Sequence, residues 1–149
     1  MAVGRKRSKK QSAANCKSRQ PEKLTIFIDR SLGRKIGNIL SGASGVEVII
    51  HDDLFPPDCP DHDWLKEAGR RGWIVFTKDR RIRHRSIELN AIRQARVYAF
   101  ILRGKDMTGE EMGQAFKKAL NRIRKTLKKH NPPLIATVSR SGIIRLLDE

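Results

Sequence analysis

From Leu24 onward the chain alternates between short apolar, β-branched runs and segments of helical periodicity, and that alternation leaves few folds open. The run at 24–28, closed by Asp29, is apolar on both faces and reads as a buried parallel strand. Similar runs follow at 46–50, 73–77 and 97–102. Between them, Ser31 can cap a helix carrying Leu32, Ile36, Ile39 and Leu40, closed by Gly42 or Gly45. Asp61 is placed to cap a helix through Trp64, Leu65 and Ala68 that stops at Gly72, and another helix is predicted over 86–95. Thr108, Glu110 and Glu111 open a long helix with Met112, Phe116, Leu120, Ile123 and Leu127 on one face, ended by Pro132 and Pro133. The tail, 134–138 and 143–147 around Ser141 and Gly142, reads as a β-hairpin. The expected fold class is α/β: a three-layer sandwich with a mostly parallel central sheet, plus a C-terminal β-hairpin. A chain of 149 residues suits one such domain.

Residues 1–23 differ in kind. They hold eight Lys and Arg against one acid, Glu22, with few apolar residues, so they are expected to form a disordered basic arm ahead of a folded domain at 24–149. Over the whole chain 32 Lys and Arg oppose 16 Asp and Glu, a net charge of +16. Such an excess attracts polyanions, and nucleic acid is favoured over a phospholipid surface because no basic helix shows a bulky apolar opposite face. No apolar stretch approaches the ~20 residues of a membrane span, and no apolar region follows the basic N-terminus as in a signal peptide. Cys16 and Cys59, one in the arm and one in a proline-rich loop, suggest neither a disulfide framework nor a zinc knuckle. A cytoplasmic location is the expectation.

Charge placement points to chemistry. No Lys or Arg lies between Lys35 and Lys66, where average density would put roughly six, yet Glu47, Asp52, Asp53, Asp58, Asp61 and Asp63 fall there. In open α/β sheets ligands bind beyond the C-terminal strand ends, near the point where strand order reverses. Asp29 ends the first run and Asp79 follows the third, so a 2-1-3-4 order would bring both to one rim. Asp61, at a helix start, could supply a third carboxylate. Clustered carboxylates repel unless cations intervene, and Mg²⁺ or Mn²⁺ suits oxygen ligands shared with phosphate. Thr77 could orient a carboxylate or a water. Lys78, Arg80, Arg81, Arg83 and Arg85 are placed to grip a nucleic-acid backbone. His51 and His62 flank the acidic interval without a convincing ligand set. Trp64, Trp73, Tyr98 and Phe116 read as packing residues, not as a stacking platform for bases.

Taken together, Phe27-Ile28-Asp29-Arg30-Ser31-Leu32-Gly33, Val48-Ile49-Ile50-His51-Asp52, Asp61-His62-Asp63-Trp64-Leu65 and Thr77-Lys78-Asp79-Arg80-Arg81-Ile82-Arg83 resemble the PIN-like domains of VapC-type toxins. The resemblance covers roughly 24–149 and rests on the joint order of short motifs. It implies Mg²⁺- or Mn²⁺-dependent cleavage of RNA phosphodiesters, a cognate antitoxin protein, and Asp29, Asp61 and Asp79 as metal-binding catalytic residues. A fourth acid found in many PIN domains has no clear match; Asp52, Asp53, Asp63 and Glu88 are candidates. Self-association into a homo-oligomer stays open. Two rivals remain: a non-catalytic nucleic-acid-binding module, which leaves the acids at strand ends unexplained, and a phospho-receiver domain, which would want an acid pair near the first strand and a less basic chain.

Overall fold

A computed structural model describes residues 23–78 and 86–147, the side chains of 86–88 excepted. In chain order the elements are β1 (Leu24–Ile28), α1 (Arg34–Leu40), β2 (Val46–Ile50), α2 (His51–Leu54), α3 (Asp61–Arg71), β3 (Ile74–Lys78), α4 (Ser86–Ala95), β4 (Tyr98–Leu102), α5 (Gly109–Lys129), β5 (Leu134–Val138) and β6 (Ile144–Leu146). They form one six-stranded sheet in the order β2-β1-β3-β4-β5-β6. The first five strands are parallel, and β6 pairs antiparallel with β5 to make the expected C-terminal hairpin. The arm lies outside the described residues up to its last member, Lys23, whose ammonium stands 3.5 Å from Glu47.

Strand parity explains the two cores. Leu24, Ile26 and Ile28 of β1, with Ile74, Phe76, Phe100 and Leu102 from its neighbours, join Ile36 and Leu40 of α1 and Phe116 and Ile123 of α5. The alternate residues Phe27, Val75, Ala99, Ile101 and Ile135 join Trp64, Leu65 and Ala68 of α3 and Ile92 of α4. Both faces of the sheet are thus covered, which is why these strands read as continuous apolar runs. Trp64, Trp73 and Phe116 are buried in the cores as expected, and Tyr98 packs beside them with its hydroxyl donating to the His130 carbonyl.

Local signals set most boundaries. Thr108 and Glu111 form a reciprocal capping box at the start of α5, and Gly72 ends α3 in the left-handed region at φ 74°. Two expected caps are corrected. Ser31 does not cap α1: Gly33 does, at φ 90°, a backbone geometry that glycine accepts without strain. Asp61 is the first residue of α3, with Pro60 in the cap position and no side-chain cap bond. The short helix α2 was not legible in the sequence, since four residues cannot show a helical period.

Among the described residues no helix is long and apolar enough to cross a membrane. Replacing Thr108 with alanine removes one of the two capping-box bonds, so Thr108→Ala should destabilise the fold by about 1 kcal/mol in urea denaturation. Unchanged stability would mean the box contributes nothing to α5.

Candidate active site at the β1–β3 rim

The chain passes from β1 to β2 on one side and returns to β3 on the other, so strand order reverses between β1 and β3. Asp29 sits at this switch point. Its backbone N–H donates to the Phe76 carbonyl at 3.0 Å, extending the ladder one residue beyond the Ile28–Phe76 pair. This register sets Asp29 beside Thr77, the residue after Phe76.

Two hydroxyls hold the Asp29 carboxylate. Thr77 Oγ1 donates to Oδ2 at 2.6 Å, and Ser31 Oγ donates to the same oxygen at 2.9 Å. Among the described residues Oδ1 has no hydrogen-bond partner and remains open. Thr77 is only 5% exposed, so its hydroxyl needs a protein partner, and Asp29 is that partner. Ser31, read from sequence as a helix cap, is the site residue that the sequence analysis missed. Its signal was the Asp-x-Ser spacing, which fits a turn as well as a cap; here the Leu32 N–H closes that turn on the Asp29 carbonyl at 3.0 Å.

Asp61 is held differently. The indole N–H of Trp64 donates to Asp61 Oδ1 at 3.1 Å. Trp64 in turn stacks on Phe27, two residues before Asp29, with ring centroids 5.1 Å apart. Trp73 stacks near-parallel on Phe27 at 5.5 Å. The start of α3 is therefore tied to the end of β1 through packed rings.

Asp79, Arg80, Arg81, Arg83 and Arg85 lie outside the described residues. Lys78 ends β3 and is half-buried. Among the described residues no group of three or more His, Cys, Asp or Glu stands together as a ready ligand set, so Asp29 and Asp61 alone do not complete a metal centre.

The candidates for a fourth acid are spoken for in different ways. Asp52 accepts from the His51 ring at 2.8 Å and lies 3.2 Å from Arg30; the His51 bond and the Arg30 charge hold its carboxyl below the usual range. Asp53 receives both terminal nitrogens of Arg34, at 3.2 and 2.7 Å, which likewise lowers it. Asp63 lies 3.1 Å from the His62 ring. The Glu88 side chain lies outside the described residues. His51 is not a surface ligand: it is 2% exposed among Phe27, Phe55 and Trp64. Cys59 is a free thiol, raised by burial and by nearby Asp63.

With this geometry in view, comparison with known proteins defines the class. The sequence profile of the PIN-like domain family matches residues 24–104, more than half of the chain and every element from β1 through β4. The chain belongs to the PIN-like domain family. It is also similar to a protein of Mycobacterium tuberculosis (strain ATCC 25618 / H37Rv) named putative ribonuclease VapC45, being 27% identical over 126 residues that span 82% of this chain and 91% of that one. That similarity agrees with the VapC-type resemblance of the motifs. No solved structure matches the chain.

The Thr77–Asp29 bond can be tested by itself. Thr77→Val keeps the shape and removes the donor to a charged acceptor, and should cost about 1–2 kcal/mol in urea denaturation. Equal stability of the two proteins would show that the bond is not maintained in solution.

Proposed function

We propose that this protein is a divalent-metal-dependent endoribonuclease acting as the toxin of a toxin–antitoxin pair. The observation that carries the reading is a carboxylate at the sheet's switch point, fixed through one oxygen by two hydroxyls and open at the other. Family membership and the name of the similar protein, a ribonuclease, support it.

The donor chemistry fits a hard cation, because Asp29 offers an unshared oxygen and Asp61 and Asp79 would bring further oxygens and no sulfur or nitrogen. Asp29, Asp61 and Asp79 are the proposed ligands of Mg²⁺ or Mn²⁺. When bound, the ion would supply Lewis acidity to the scissile phosphate and its attacking water. Thr77 and Ser31 act as positioning residues: they hold Oδ2 and leave Oδ1 for a cation. Trp64 does the same for Asp61 through its indole N–H. Lys78, Arg80, Arg81, Arg83 and Arg85 would bind the RNA backbone beside the acids, where phosphate contacts fix register without reading sequence. The basic residues of 1–23 extend this attraction as an arm with reach but no required geometry. The setting is the cytoplasm, where RNA and a cognate antitoxin protein are at hand.

Asp29→Asn should keep the fold, since an amide can still pair with the two hydroxyls, and should lower RNA cleavage by roughly 10³-fold or more, about 4 kcal/mol of barrier. Cleavage of a defined RNA with added Mg²⁺ or Mn²⁺, and with a chelator, reads both claims. Wild-type rates from the mutant would remove Asp29 from the centre, and full activity in chelator would remove the metal.

The toxin reading has its own test. An inhibitor that places a cation among the carboxylates and acids against the flanking arginines would associate quickly and weaken with salt. Expression of the wild type alone should therefore arrest growth, Asp79→Asn should relieve the arrest, and a small cognate protein should co-purify with the wild type. Equal growth at matched expression would count against a toxin while leaving the nuclease chemistry standing.

A further inference from the structure

The segment 112–147 contains nine Lys and Arg and no Asp or Glu, the reverse of the base-free interval near the rim. Seven of those bases lie on α5: Lys117, Lys118, Arg122, Arg124, Lys125, Lys128 and Lys129. At 100° per residue they occupy an arc of about 160°, shared from 117 to 129 only with Asn121 and in the first turns with Glu110, Glu111 and Gln114, while Met112, Phe116, Ala119, Leu120 and Ile123 fill the opposite side, buried on the sheet. From Lys117 to Lys129 the arc is about 18 Å long.

Several bases elsewhere are neutralised internally. Arg30 meets Asp52, Arg34 meets Asp53, and Arg140 meets Glu111. Arg70 and Arg71 close on Glu67 and hold its carboxyl down at about 2. On α5 the pattern stops: among the described residues, Lys117, Lys118, Lys125, Lys128 and Lys129 have no carboxylate within ion-pair distance. Arg122 and Arg124 donate to backbone carbonyls, of Gly142 and of Ser44 and Gly45, and so anchor the helix flanks. A rigid helix face of uncompensated, self-repelling charge is costly unless a polyanion covers it.

We propose that the outer face of α5 is a phosphate-binding track for the double-helical stem of a folded RNA, separate from the cleavage rim. The choice of RNA rests on the ribonuclease reading above. Because β4 is parallel to β1 and β3, α5 starts near the Asp29 rim and runs back toward the opposite end of the sheet, so its basic face carries binding away from the cut site. A membrane fits less well, since the apolar side of α5 is buried and has nothing to insert. An unstructured strand also fits less well: among the described residues no Phe, Tyr or Trp ring is exposed to stack on bases, whereas an A-form stem is recognised by shape and phosphates.

The test uses the full chain carrying Asp29→Asn, so that binding is read without turnover. Lys117→Gln, Lys118→Gln, Lys125→Gln and Lys128→Gln are added together, glutamine matching lysine in helix propensity; an unchanged melting curve confirms the fold. Binding of an RNA hairpin should weaken roughly tenfold or more, and the slope of log affinity against log salt should fall by about 3.6, at about 0.9 per lost contact. An unstructured strand of equal length should lose less. Unchanged hairpin affinity and slope overturn the proposal, as does an equal loss on the unstructured strand, or a loss confined to phosphatidylserine vesicles. If the hairpin effect appears but the wild type cuts no RNA, the nuclease reading fails and the track stands. If the wild type cuts RNA and the four substitutions change nothing, the track fails alone.

Discussion

The rest of the site depends on the pairing of β1 with β3. These strands are separated in sequence by α1, β2, α2 and α3, yet they are direct neighbours, with Ile28 opposite Phe76. The single hydrogen bond from Asp29 to the Phe76 carbonyl carries the register past the strand end, and so decides that Thr77, not a neighbour, meets the carboxylate. A slip of one residue would turn Thr77 to the other face of the sheet. The two apolar cores prevent that slip, because Phe76 is locked against Phe116 at 4.2 Å on one side and Val75 is buried with the α3–α4 cluster on the other.

Much of this was legible before any coordinates. Strands with both faces buried announce themselves as unbroken apolar runs, and the prediction of a helix over 86–95 matches α4 (Ser86–Ala95). The order β2-β1-β3-β4 was a condition of the site argument and is the order observed. What sequence could not give were the side-chain choices at element ends. A serine, a threonine or an aspartate near a helix start has several backbone and side-chain partners within reach, and only tertiary context selects one. Ser31 was therefore assigned to the helix when it serves Asp29, and Asp61 was assigned the cap when it accepts from Trp64. The burial of His51 was not legible either: a polar residue before two acids gives no sign of it, yet the ring fills a space between Phe27, Phe55 and Trp64.

The base-free interval also takes on a different meaning. From sequence it looked like an uncompensated acidic patch. In the fold, Arg30 and Arg34, which precede the interval, return to Asp52 and Asp53 and cancel part of it. These two pairs are exposed, so each contributes little to stability. Their consequence is selective: they quiet the acids around the rim, while Asp29 is held by neutral hydroxyls and keeps its charge uncancelled by any cation among the described residues.

A carboxylate fixed by an arginine is already satisfied and resists a second cation, whereas one fixed by hydroxyls is oriented without being neutralised. Both hydroxyls bind the same oxygen, so the geometry is one-sided, and among the described residues the second oxygen has no hydrogen-bond partner. On the opposite wall, Phe27 lies between the rings of Trp64 and Trp73, which limits how far the start of α3 can move relative to the end of β1. Such stacking gives position without charge, as the hydroxyls do. Asp29 is thus held by groups that do not compete for its charge, while Arg30 and Arg34 are paired with Asp52 and Asp53 and further bases are displayed along α5.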